Sequence, residues 1–509
     1  MYEAELHAKL KEFYQLLDTN AHLAAALAHD LPAFTLASGL PSQALRAALL
    51  IDVAEITRDK TMVQGARSTL EALHVEFPDQ DEITYNLANA LSIEARLEPF
   101  EGPSWYLGTS CARFRARATF VDAVQTEDRD LLGRVHANHG NELWRAHRWV
   151  EAYDSYLDSL DADATNAVAR SGAVKVLLRA QERGIGDPHL TEAAAARHLR
   201  GLAGARDRIR ELAGDVAVKD IDRLLDLKLS PGEPLDLSSA SPYERFVAEQ
   251  RLSLSATIEG LQLDMKRWDS LAIASIIERT DGALGVPPAF SIFNVAKSEY
   301  LAARRLCHQA LEGELAETGR YHDSLDYAVY GVRPALLVFA QRASLDVLEK
   351  VALLITEYFG IAESPRSISF RSRWHAPRKS QDAPLCWHPA LESEYELGNQ
   401  ALIALADVAI DLGPQGSLRT KRNMRDAGTH RALVMHDLSM HGCRQSRYVE
   451  HVDQNIFQRV VLETIRLARA SLIYAVEAIA IREARERSKF KYLAQLNVPH
   501  HDWVRGEDE

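Results

Sequence analysis

Apolar residues recur three and four positions apart through nearly every long segment, the spacing that gathers them on one face of an α-helix. Ala and Leu dominate these faces, and the alternating apolar–polar runs of half-buried strands are short. In the first half of the chain the pattern repeats. Ala54 precedes Ala66 by twelve residues, Leu70 and Leu73 follow at +4 and +7, and Pro78 closes the unit. Ala88 stands one 34-residue step after Ala54. The stretch 96–110 delays the next partner helix, in which Ala116, Phe120 and Ala123 regain the +4, +7 spacing. Gly140, Ala152 and Tyr156 make a third set. Small residues where two helices touch, with a large one a turn later, predict antiparallel helix pairs stacked side by side.

A Pro- and Ser-rich break at 229–242 reads as a linker, and a further helical region runs from Tyr243 to about Gly313. Beyond it the pattern predicts three long amphipathic helices, around 344–359, 394–412 and 453–487. In the last, Phe457, Val461, Ile465, Ala468, Leu472, Val476 and Ile479 form one continuous stripe, as a helix bundle needs. The expected units are 1–235, a connector at 236–310, and 311–509.

Composition narrows the class. The chain has 509 residues, 47 % hydrophobic and 26 % charged, which suits a soluble globular protein. No apolar run is long enough to span a bilayer, and the N-terminal stretch lacks a basic start followed by an apolar core. Cys111, Cys307, Cys386 and Cys443 are scattered without a CxxC pair. That spacing argues against a zinc ribbon or a disulfide framework and suits reduced thiols in a cytoplasm. Cys386-Trp387-His388 and His441-Gly442-Cys443 are like metal-ligand pairs only superficially, so no metal and no cofactor is expected. A net charge of −13 means that any nucleic-acid site must be a local patch.

Such a patch lies at 418–437, where Arg419, Lys421, Arg422, Arg425 and Arg431 crowd around Asp426. On a helix Asp426 and His430 are neighbours, and an aspartate can orient an imidazole. Arg425 lies five residues before His430, roughly 140° around an ideal helix. Either Ala427-Gly428-Thr429 weakens the helix enough for the two to converge, or they meet across a dimer interface. A second basic segment, 365–380, interleaves Arg366, Arg371, Arg373, Arg378 and Lys379 with Phe370, Trp374 and His375. Arginines beside exposed aromatics bind single-stranded RNA through phosphate contact and base stacking. Arg371, Arg373 and Trp374 are the candidates there, with Lys421, Arg422 and Arg431 beside the first patch.

Two resemblances follow. The spacing across roughly 41–170 resembles TPR repeats, which build concave surfaces that hold a protein or peptide partner. Arg425-Asp426-Ala427-Gly428-Thr429-His430, set between bundle helices, resembles the signature of HEPN-domain ribonucleases, and 321–331 and 347–359 add to the likeness. The whole resembles the HEPN branch in which TPR repeats precede the nuclease, so the expected fold is all-α, a TPR-like helical-hairpin solenoid followed by a HEPN-type bundle. The resemblance implies a metal-independent endoribonuclease that pairs as a homodimer or larger assembly. Arg425, His430 and Asp426 would be its catalytic residues. In such enzymes the RNA 2′-hydroxyl attacks the adjacent phosphorus, leaving a 2′,3′-cyclic phosphate. Companions of the family often belong to bacterial defence or toxin systems. The alternative is a non-catalytic scaffold whose bundle dimerises or binds a nucleotide.

Overall fold

A computed structural model describes residues 3–31, 40–99, 101–233, 235–259, 265–277, 285–315, 319–361, 364–377, 385–414, 416–438, 443–444 and 446–490. The side chains of 208, 211–217, 220, 265, 266, 365 and 425 are outside that description. Helices α1 (Glu3–Thr19) and α2 (Ala21–His29) open the array, followed by α3 (Ser42–Thr57) with α4 (Lys60–Glu76). Next come α5 (Asp81–Arg96), the short α6 (Gly102–Gly108) and α7 (Ser110–Ala123), then α8 (Arg129–Arg145) with α9 (Trp149–Ala162). The array ends with α10 (Ala167–Glu182), α11 (Pro188–Ala203) and α12 (Arg206–Leu225). Short polar side chains start several of them: Asp59 accepts from the Met62 amide at 3.0 Å, Asp128 from Leu131 at 3.2 Å and Asn166 from Ala169 at 3.1 Å. Each cap satisfies an amide that the first helical turn leaves without a partner.

The repeat spacing has a direct packing consequence. Ala54, Ala88, Ala116, Phe120 and Ala152 are fully buried where helices touch. Tyr156 on α9 fills the gap between α8 and α10. A Cβ placed at Gly140 would come within 2.6 Å of its ring, and one at Gly172 within 2.4 Å, so both neighbours must be glycine for the ring to fit. The fold is an all-α solenoid of helical hairpins followed by a helical bundle.

Asp52 on α3 is half-buried, and burial pushes its carboxyl up to about 7, with Glu55 adding to the effect. A carboxyl that keeps its proton to higher pH when folded costs nothing below the ordinary aspartate range near pH 4, and costs progressively more as pH rises towards 7. Asp52→Asn is therefore expected to raise the melting temperature at about pH 8 and leave it little changed near pH 4. Equal shifts at the two pH values, read by thermal unfolding, would contradict this account.

After the linker come α13 (Pro242–Glu249), α14 (Met265–Trp268), α15 (Pro288–Leu311), α16 (Val332–Tyr358), α17 (Glu392–Glu396), α18 (Gln400–Asp411), α19 (Arg419–His430) and α20 (Gln454–Arg487). The stripe predicted on α20 is buried from Phe457 to Ile479, and α20 packs against α15, α16 and α18. The helix expected at 394–412 is split. Gly398 adopts φ +78°, a left-handed conformation open to glycine, and the chain restarts as α18. A three-stranded sheet was not expected: β1 (Ala328–Val329) pairs antiparallel with β2 (Ala432–His436), which pairs parallel with β3 (Val449–Asp453).

Array and bundle share one core. Buried apolar residues run without a break from Tyr106 to Ile479, while a separate core serves the N-terminal hairpins from Phe13 to Ala116. The 96–110 stretch that interrupts the repeat supplies the docking element. On α6, Tyr106 donates to Asp407 Oδ2 of α18 at 2.7 Å. Arg113 and Arg117 of α7, with Arg148 just before α9, converge on the same aspartate and on Asp411 at 2.5–3.2 Å. On the other side Arg469 of α20 donates to the carbonyls of Ser253 and Ser255 at 2.7 and 2.8 Å, satisfying a non-helical segment buried against the array. Among the described residues no helix is long and apolar enough to cross a membrane.

Candidate functional site

The basic patch lies on α19. Its inner face is set by Ala427, 1 % exposed, and by Gly428, where an added Cβ would sit 3.1 Å from Val338 Cγ1 of α16. Glycine thus lets α19 lie close against α16. Lys421 is also on the inner side: Nζ contacts Glu463 Oε2 of α20 at 2.5 Å, and its carbonyl accepts from Gln341 of α16 at 3.1 Å. Lys421 fastens the helix to the bundle, which corrects its assignment as an open phosphate contact.

The outer face carries Arg422, Asp426, Thr429 and His430, at helical positions i, i+4, i+7 and i+8. Arg422 Nε lies 3.6 Å from Asp426 Oδ2, with both side chains about one-third exposed. His430 is exposed at the last turn, and Arg431 beyond it reaches Glu450 Oε2 of β3 at 2.6 Å. Arg425 belongs to α19, and its side chain lies outside the described residues. The helix runs unbroken from Arg419 to His430, so Ala427-Gly428-Thr429 does not loosen it. Within one chain the backbone positions of Arg425 and His430 therefore stay roughly 140° apart around the axis.

Comparison with known families bears on this region. Residues 280–482 match the family described as LA2681-like HEPN. The match supports a HEPN domain over these residues. The match takes in α15, which the sequence reading left in the connector and which packs along α16, and it ends within α20. No curated protein and no solved structure matches the chain.

In the HEPN domain the second basic segment behaves differently from expectation. Trp374 is fully buried, its indole N–H donating to the Phe370 carbonyl at 2.5 Å, and Arg373 is 2 % exposed. Neither can meet RNA in this arrangement. The segment packs inward at these residues: the Phe370 amide donates to Glu349 Oε2 of α16 at 2.8 Å, and His375 stacks on Trp387 with ring centres 5.3 Å apart. Alternating Arg and aromatic residues are compatible with either an open or a packed loop, and here the bundle offered the rings an apolar seat. Arg371 is exposed, whereas Arg378 and Lys379 lie outside the described residues.

Two further histidines stand on the sheet. His436 Nδ1 lies 2.8 Å from the Asp326 carbonyl, and His436 Nε2 lies 2.8 Å from His451 Nδ1. His451 was missed by sequence reading because no short motif links it to His436. His441 lies outside the described residues. Where the array meets the bundle there is a cavity of about 660 Å³ lined in part by Arg58, Arg96, Trp105, Arg145 and His147.

Proposed function

We propose that the HEPN domain is a metal-independent endoribonuclease and that two copies of the chain build its cleft. What supports the reading most is the placement of the Arg425–His430 motif: inside the HEPN match, on a helix whose outer face is polar. The reaction needs no metal-activated water, because RNA supplies its own nucleophile. As the 2′-oxygen bonds to phosphorus, the 2′-hydroxyl proton goes to a base. As the P–O5′ bond breaks, the leaving oxygen takes a proton from an acid. His430 suits either transfer, since an imidazole can both accept and donate a proton. Arg425 would hold the scissile phosphate through paired hydrogen bonds and balance charge on its oxygens. Asp426 would keep the arginine-rich turn in order through Arg422. Arg371, Arg422 and Arg431 would contact flanking phosphates.

Two proton transfers call for two groups, and a twofold pair of chains supplies a His430 from each. Support for pairing comes from the surface around α19. Tyr327, Tyr330, Phe339, Leu438 and Tyr448 are 44–75 % exposed and flank the sheet and the α16–α19 contact, more exposed apolar surface in one region than a lone copy needs. The hairpin array, read as TPR-like, would hold a protein or peptide partner that controls the nuclease, and the likeness suggests a place in bacterial defence or a toxin system.

The test is cleavage of a mixed RNA pool in buffer without added divalent ions, with wild-type and Arg425→Ala proteins and with product ends identified. Cleavage by wild type, leaving 2′,3′-cyclic phosphate and 5′-hydroxyl ends, and its loss in Arg425→Ala are expected. Equal cleavage by both, or 3′-hydroxyl products, would overturn the assignment. No cleavage by either, in the presence of cell extract, would favour the scaffold reading.

A further inference from the structure

We propose that His436, Cys443 and His451 form a zinc site that ties Cys443, in the β2–β3 connection, to the sheet that continues α19. The ligand atoms of these three residues lie within 4.8 Å of one another. Their convergence follows from the register. Val434 pairs with His451 across the parallel β2–β3 ladder, and residues two apart share a face, so His436 and His451 are diagonal neighbours. Cys443 then comes back over that face, with Sγ 3.8 Å from His436 Nε2.

The hydrogen bonding prepares the ligands. The Asp326 carbonyl can only accept, so His436 Nδ1, 2.8 Å away, carries the proton and Nε2 presents its lone pair to the cluster. That outward N–H to a carbonyl is the arrangement that orients histidines on metals. His436 is 1 % exposed, which fixes the ring. Asp326 adds a possible fourth donor. Its Oδ1 is engaged by the Ser324 hydroxyl at 2.9 Å and the Ala328 amide at 3.3 Å, while Oδ2 faces Cys443 Sγ at 3.9 Å.

The donor set selects the ion. Two imidazoles and a thiolate suit zinc, and tetrahedral zinc would hold two nitrogens about 3.3 Å apart and nitrogen and sulfur about 3.5 Å apart. The His436–His451 and His436–Cys443 separations, 2.8 and 3.8 Å, each stand within about half an ångström of those values. Binding removes the thiol proton, moves the His451 proton from Nδ1 to Nε2, and replaces the His436–His451 hydrogen bond with two metal–nitrogen bonds. The role is structural, so this proposal stands apart from the ribonuclease reading, and metal binding is read without RNA.

The test uses the full chain stripped of metal and titrated with Co²⁺, then Zn²⁺. Expected are one equivalent of cobalt, a near-ultraviolet thiolate-to-cobalt charge-transfer band, visible absorption of tetrahedral intensity, and displacement of both by one equivalent of zinc. The band should vanish in Cys443→Ser and persist in Cys111→Ser and Cys386→Ser. His451→Ala should weaken zinc binding at least as much as the roughly 10- to 100-fold that loss of an outer-shell partner costs. Because the band is sought first in wild type, a variant that misfolds cannot mask the result. Absence of a thiolate band in wild type, or a band that survives Cys443→Ser, would overturn the site.

Discussion

Replacing His430 with alanine is expected to slow RNA cleavage by about 10²- to 10⁴-fold, the range that a positioned proton carrier contributes. The side chain is exposed at the end of α19, so its loss should leave melting temperature almost unchanged. The informative form of the experiment is a mixture. If one cleft needs His430 from both copies, an equimolar, fully exchanged population of wild type and His430→Ala retains about one quarter of the wild-type rate, because only wild-type pairs are competent. If each chain carries a complete site, about one half is retained. A value near one half would sink the requirement for two His430 groups in one cleft while leaving the ribonuclease intact. The two proton transfers are the reason for expecting one quarter, since a base and an acid both drawn from His430 require one from each chain.

The largest effect on stability is expected at Asp407. This carboxylate, 1 % exposed, accepts from Tyr106 at 2.7 Å and lies 2.9–3.2 Å from Arg113, Arg117 and Arg148. Burial by itself would raise its pKa, and the three guanidinium groups override that and hold it well below the usual carboxylate range. Removing one partner from a buried ion cluster costs about 3–5 kcal/mol, because the remaining charges stay desolvated and under-compensated. Asp407→Ala should therefore lower stability by about that amount in urea unfolding, with array and bundle separating in an earlier transition than in wild type. The pH dependence has a definite sign. A carboxyl whose folded pKa is depressed contributes fully above the ordinary aspartate value near pH 4, and that contribution is lost as pH falls further. Wild type and Asp407→Ala should thus converge in stability below about pH 4. A variant as stable as wild type at neutral pH would show that Asp411 and Glu151 alone can balance the three arginines.

Much of this architecture was legible in the chain. Ala54, Ala88 and Ala152 occupy buried helix contacts because close approach of two helices admits only small side chains, a constraint strong enough to mark the sequence. The α20 stripe was equally plain, being a long helix buried along its length. The sheet was not. β1 has two residues and β2 and β3 five each, too few for alternation to stand out against helical spacing. Trp374 illustrates a different difficulty. An aromatic among arginines has the same local pattern whether it faces solvent or the core, and only the seat offered by Phe370 and the α16 surface decided between them.

The sequence by itself determined where most of the long helices run, where the hairpin spacing repeats, and that Arg425 and His430 share one basic segment, because these depend on residues within one or two helical turns of each other. The tertiary structure decided what long-range pairing alone can decide. It brought Asp407 to three arginines some 260–290 positions away, turned the apparent insertion at 96–110 into the docking element, and sealed Arg373 and Trp374 inside. It also set His436 beside His451 and Cys443, through a parallel strand register that no local spacing encodes.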